Sequence, residues 1–126
     1  VAISFGPVSM ATAINTDPKL FKKILREIIE NAIVYGHTGS EVKININMKD
    51  GSFVIEITDT GVGITEEEKP LIFTKFFRGS NRPKNISGAG LGLYIARGYT
   101  KALGGKIWFE SNEGRGTTFF ISFPIE

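Results

Sequence analysis

Apolar residues recur along this chain with two different periods. Phe21, Ile24, Leu25, Ile28, Ile29 and Ala32 return every three to four residues, the wide stripe of a helix buried on one side. Asp17-Pro18 announces its start, with Asp as the cap and Pro where no N–H is needed; Gly36 and the Thr38-Gly39-Ser40 cluster end it. Lys23, Glu27, Glu30 and Asn31 stand off the stripe, and Glu27 and Asn31, four apart, share a face. The period then changes to two. Val42, Ile44, Ile46 and Met48 alternate with Lys43, Asn45 and Asn47 as a half-buried strand, Asp50-Gly51 signals a hairpin turn, and residues 53–59 return. Counting by twos puts Asp59 on the face of Phe53, Ile55 and Ile57, where a carboxylate needs a partner because burying an unpaired charge is costly.

The remaining elements are shorter. Val1–Phe5 and a piece around Ala13-Ile14-Asn15 read as strands separated by Gly6-Pro7. Thr65 and Glu68 fit a capping box for a short helix towards Ile72. From Phe73 to Ser87 the periodicity lapses, which predicts a long mobile loop of the kind that carries function. A helix follows with Leu91, Ile95, Tyr99 and Ala102 on one face and stops at Gly104-Gly105. Residues 106–111 and 117–124 form the last two strands, joined by Asn112-Glu113-Gly114-Arg115-Gly116. Hairpins outnumber βαβ units, so the class is α+β: a two-layer sandwich whose mixed, mostly antiparallel sheet is covered on one face by about three helices.

Composition narrows the setting. One domain over residues 1–126 suits the length, and 41% hydrophobic with 22% charged residues is ordinary for a globular protein. A net charge of +2 without a basic run argues against nucleic acid. The absence of cysteine fits a reducing, cytoplasmic location, and no apolar run approaches the roughly 20 residues of a membrane span, so no direct membrane contact is expected. The chain opens without methionine in a strand-like stretch, which suggests a domain of a longer parent, one that a membrane anchor elsewhere would also fit.

The candidate chemistry starts at Gly88-Ala89-Gly90-Leu91-Gly92-Leu93. Glycine at every second position runs into a helix start, where unpaired N–H groups and the positive dipole end favour an anion, phosphates above all. A bare glycine-rich turn fits that stretch as well.

Five motifs in order resemble the catalytic, ATP-binding domain of sensor histidine kinases, within the Bergerat-fold ATPases shared with gyrase, heat-shock chaperone and mismatch-repair ATPases. Leu25–Tyr35 resembles the asparagine box, Asp59–Ile64 the first glycine box, Ile72–Arg78 the phenylalanine box, Gly88–Leu93 the second glycine box, and Gly114–Thr118 the closing Gly-Thr element. The resemblance implies ATP or ADP with Mg²⁺ as cofactors, and transfer of the γ-phosphate to a histidine on a separate helical dimerisation and phosphoacceptor domain. A response-regulator receiver domain would act downstream. Asn31 would ligate Mg²⁺ through its side-chain carbonyl, as suits a hard cation with few protein ligands. Asp59 would accept from the adenine amino group, Gly61, Gly63 and Ile64 would shape the base pocket, and Thr117 would help hold the base, unless it is an ordinary strand threonine. Gly88, Ala89, Gly90, Leu91, Gly92 and Leu93 would cradle the phosphates. Arg78 would reach the γ-phosphate with Lys75 as a weaker second, Arg82 and Lys84 would be solvated charges, and Tyr35 would line the pocket. Phe73, Phe76 and Phe77 would anchor the loop by packing.

Two departures matter. Many family members carry Asn where this chain has Glu27. Glu there occurs in some histidine kinases and is the rule in the ATPase cousins, where it activates water as a general base. Glu27 is therefore a candidate for catalysis or Mg²⁺ tuning, against an ion pair with Lys23. Val34 stands where a Lys often assists the phosphates. His37, the only histidine, sits in a turn without acidic surroundings and reads as a surface residue rather than the phosphoacceptor. The rival functions are a Bergerat ATPase, an anti-sigma-like Ser/Thr protein kinase, and a nucleotide-binding docking module without turnover.

Overall fold

A computed structural model describes residues 2–5, 17–34, 41–75 and 92–124. The expected strand near Ala13, and the positions of Tyr35, His37, Phe76, Phe77, Arg78, Arg82, Lys84 and Gly88 to Leu91, lie outside those residues. Among the described residues five strands form one sheet: β1 (Ala2–Phe5), β2 (Glu41–Lys49), β3 (Ser52–Asp59), β4 (Lys106–Asn112) and β5 (Gly116–Pro124), in the order β1-β2-β3-β5-β4. β1 runs parallel to β2 and every other pairing is antiparallel, so the sheet is mixed and mostly antiparallel as the pattern predicts. Helices α1 (Pro18–Val34) and α2 (Gly92–Ala102) lie against each other and against the sheet.

Local chemistry explains the element ends. Asp17 Oδ1 accepts from the N–H groups of Lys19 at 2.9 Å and Leu20 at 3.3 Å, capping α1 while Pro18 takes the first helical position. Asp50 (φ 52°) and Gly51 (φ 74°) both adopt the left-handed conformation that a two-residue hairpin turn requires. At the end of α2 the Gly104 N–H donates to the Lys101 carbonyl and the Gly105 N–H to that of Thr100, a Schellman closure with Gly104 at φ 78°.

The core lies between the sheet and the helices. Ile24, Ile28 and Ala32 fill it from α1, with Phe21, Leu25 and Ile29 packed alongside. Each fully buried isoleucine contributes about 2–3 kcal/mol. Successive rows of inward residues cross the sheet, Ile46–Ile55–Ile121–Ile107 and then Ile44–Ile57–Phe119–Phe109. On the opposite face Trp108 stacks on Phe120, centroids 5.3 Å apart and planes 6° apart, and the Thr58 and Thr118 hydroxyls meet at 3.0 Å.

Two expectations need correction. The capping box at Thr65 leads not to an α-helix but to a 3₁₀ turn, Lys69–Leu71, with Thr65 Oγ1 accepting from the Glu68 N–H at 3.3 Å. Pro70 inside that turn removes an N–H that a longer helix would need. In α2 the buried positions are Ala96 and Thr100, flanked by Leu93, Tyr99 and Leu103, whereas Ala102 is exposed. Thr100 tolerates complete burial because its hydroxyl donates to the Ala96 carbonyl at 2.7 Å, so a polar residue occupies an apolar position.

Candidate functional site

At one end of the sheet the inward row turns polar. Register places Val42, Asp59, Thr117 and Ser111 side by side on β2, β3, β5 and β4, all buried. Directly opposed residues of antiparallel strands share a face, so the three polar side chains continue the core surface. Asp59 accepts at Oδ1 from the Gly61 N–H at 2.9 Å. Burial pushes its carboxyl above the ordinary carboxylate range, while backbone hydrogen bonds from Gly61 and Thr117 pull it back.

The loop after Asp59 is clamped by the β4–β5 hairpin. The Ile64 N–H donates to Ser111 Oγ at 2.8 Å, and the Gly114 N–H donates to the Val62 carbonyl at 2.7 Å. Gly63 has φ 73°, and a Cβ there would stand 2.2 Å from the Asn112 carbonyl oxygen. On that side the room that Gly63 makes is filled by the hairpin backbone. Gly116, at φ 94°, passes so close to the Asp59 carbonyl that a Cβ would approach it to 2.1 Å. Asp59, Gly61, Gly63, Ile64 and Thr117, nominated from sequence, are thus brought together.

Ser111 was not among the nominated residues, and it is the hub of this region. Its signal was present: the period of two that found Asp59 also runs Ile107, Phe109, Ser111 along β4.

A second group forms between the helices. Glu27 pairs with Lys23 at 2.9 Å, so the ion pair expected from their spacing is present. The other carboxylate oxygen lies against Gly92, the first residue of α2. A carboxylate at a helix N-terminus meets the positive end of the dipole. Asn31 follows Glu27 by one turn of α1 and is partly buried. Leu93 packs against the hydrophobic core, which gives it a structural role at this position. Lys75 is exposed after the 3₁₀ turn. Phe73 anchors that segment, edge-on to Phe109 and Phe119 with centroids 5.9 and 6.3 Å away, and Arg97 caps its ring at 5.7 Å. Among the described residues, a cleft of about 390 Å³ beside α2 is lined by Phe73, Tyr94, Ile95, Arg97, Gly98, Tyr99 and Lys101.

Among the described residues no three His, Cys, Asp or Glu side chains cluster to hold a metal, and no helix is long and apolar enough to cross a membrane. The polar row offers acceptors to a base, and Glu27 with Asn31 offers oxygen donors to a hard cation.

The family profile described as "Histidine kinase-, DNA gyrase B-, and HSP90-like ATPase" matches residues 16–126. The signal transduction histidine-protein kinase ArlS of Staphylococcus aureus (strain USA300) is 38% identical over 111 residues, 87% of this chain and 25% of that protein. The chain therefore spans a quarter of the length of the curated relatives it matches. Among solved structures, the mycobacterial sensor histidine kinase MprB shares the fold with a TM-score of 0.84 at 24% identity, over 99% of this chain and 82% of that one. The catalytic domain of histidine kinase ThkA, in a nucleotide-free form, gives 0.82 at 28% identity over 98% and 78%. Full-length ShkA in complex with AMPPNP gives 0.84 at 26% identity over 98% and 25%.

Proposed function

Because the chain belongs to the histidine kinase-, DNA gyrase B-, and HSP90-like ATPase family, we propose that it binds Mg·ATP and delivers the γ-phosphate to a histidine on a helical dimerisation domain outside these residues. The observation that carries this reading is the buried row of Asp59, Thr117 and Ser111 closing an otherwise apolar face beside the Gly61–Ile64 loop. A buried carboxylate beside the Thr117 hydroxyl offers acceptors suited to the amino group of adenine. Asp59 would accept that amino group, Gly61 and Ile64 would line the base, and Thr117 would accept from it directly or through water. The complex of ShkA with AMPPNP supports a nucleotide in this fold.

Asn31 and Glu27 would hold Mg²⁺ together with phosphate oxygens, and the ion would supply charge neutralisation at the phosphates. Gly92, at the start of α2, with Gly88, Ala89, Gly90 and Leu91 before it, would present N–H groups to the phosphates. Arg78, Lys75 and Tyr35 would complete the pocket. In-line transfer needs little covalent help, so the chain's own work is to position the nucleotide and screen its charge. A receiver domain would take the phosphoryl group next, and the domain would work in the cytoplasm.

A second reading draws on Glu27. Its place at the head of α2 suits a base that activates water, which would make the chain an ATPase. Incubation of the full-length parent protein with Mg²⁺ and γ-labelled ATP separates the two. Acid-labile, base-stable label on the protein supports phosphohistidine. Acid-stable label points to Ser/Thr kinase chemistry, free phosphate without labelled protein to an ATPase, and neither product to a binding module.

A further inference from the structure

The hydrogen bonds around Ser111 leave one assignment of protons. Ser111 Oγ lies 2.8 Å from the Ile64 N–H, 2.9 Å from the Gly116 carbonyl oxygen and 2.7 Å from Thr117 Oγ1. An N–H only donates and a carbonyl only accepts, so Ser111 accepts from Ile64 and gives its single proton to Gly116. The remaining contact requires Thr117 to be the donor. Its proton is then committed towards Ser111, and Thr117 Oγ1 meets anything on its other side as an acceptor only. Asp59, its direct cross-strand neighbour, is likewise an acceptor when ionised.

We infer that Ser111 is a positioning residue for base selection: by fixing the Thr117 proton it makes the Asp59–Thr117 edge purely accepting, so that the site takes a 6-amino purine and rejects a 6-oxo purine. The inference rests on the nucleotide reading above and deepens it. Without Ser111, the Thr117 hydroxyl turns freely and donates to an oxo group as readily as it accepts from an amino group. Rejection through an unmatched polar group is the strong form of specificity, because a buried acceptor facing another acceptor pays its full desolvation. Ser111 touches no ligand in this arrangement; it acts through Thr117, and through Ile64 on the loop.

The test is the preference for ATP, taken as the dissociation constant of inosine triphosphate divided by that of ATP. The two share ribose and triphosphate and differ in the 6-amino against the 6-oxo group and at N1, which accepts in adenine and carries a proton in hypoxanthine. The full chain is titrated with each in Mg²⁺. Ser111→Ala is expected to shrink the preference for ATP about tenfold, and Ser111→Thr, which keeps the hydroxyl, to retain it. Thr117→Val serves if Ser111→Ala does not fold: it is expected to lower the same ratio. Equal weakening of both nucleotides in Ser111→Ala, or in Thr117→Val, overturns the inference, because a merely structural role does not distinguish the bases. A wild-type chain that binds neither nucleotide overturns the nucleotide reading and this inference with it. ATP binding with an unaltered ratio in the variants overturns this inference alone.

Discussion

Glu27 Oε2 lies so close to Gly92 that a Cβ placed there would stand 2.7 Å from it. The glycine that opens α2 therefore makes room for a carboxylate on α1, quite apart from any phosphate. In Gly92→Ala the backbone is not strained, but the Glu27 carboxylate must swing away, and it is the flexible end of a side chain. The expected result is a stability change within about 0.5 kcal/mol and, in the full-length parent protein, a roughly tenfold fall in labelling from γ-labelled ATP, equivalent to a coupling of about 1.4 kcal/mol. In a Glu27→Ala background the same substitution should cost little further. Additive losses in the double variant would show that the contact carries no functional weight.

Gly51 and Gly63 have nearly the same φ, 74° and 73°, yet only Gly63 is hemmed in, with the Asn112 carbonyl oxygen 2.2 Å from a built Cβ and nothing within 4 Å at Gly51. The pair separates backbone strain from lack of space. Gly51→Ala should lose about 1–2 kcal/mol in urea unfolding, the left-handed cost alone. Gly63→Ala should lose about 3 kcal/mol or more, since the obstruction is backbone that cannot rotate aside. It should also weaken ATP binding by prising the hairpin from the loop that Gly114 and Val62 tie together. Equal losses at the two sites would remove the clamp from the account.

Trp108, the only tryptophan, stacks on Phe120 on the face opposite the polar row. Its emission should follow unfolding closely and stay constant when Mg·ATP is added. A spectral shift on nucleotide addition without unfolding would place the base near the wrong face of the sheet.

Periodicity carried most of the fold into view. The helix stripe of α1, the strand alternation of β2 and β3, the Asp17-Pro18 cap and the Asp50-Gly51 turn are all local signals, and local chemistry decides them. Asp59 was legible because a carboxylate interrupts an apolar period of two. Ser111 broke the same period in β4, but a serine is small and polar enough to suit any surface, and only the register with Thr117 reveals what it holds. On α2 the core takes Tyr99 but not Ala102 from the apolar spacing, because Thr100 hides its hydroxyl within its own helix and occupies a buried position. The packing of Gly63 against Asn112 joins residues far apart in sequence, a relationship that no local pattern contains.

Asp59→Asn should separate binding from stability. Burial, opposed by backbone hydrogen bonds from Gly61 and Thr117, leaves the Asp59 carboxyl above its ordinary range. A folded pKa above the unfolded one means that the folded chain holds the proton more tightly, so stability from this group is full below the unfolded pKa of about 4 and is lost as pH rises through the raised folded value. Asn carries no charge and its carbonyl still accepts from the Gly61 N–H. The variant should therefore lack this acid-side gain and have a melting temperature at pH 7 no lower than wild type. Its amide NH₂ would meet the adenine amino group donor against donor, or else turn its carbonyl away from Gly61, so ATP affinity should drop about tenfold or more. Melting curves at pH 5 and pH 7 with calorimetric titration of ATP check both halves. A variant that melts earlier at pH 7 and still binds ATP as the wild type does would move the base away from Asp59.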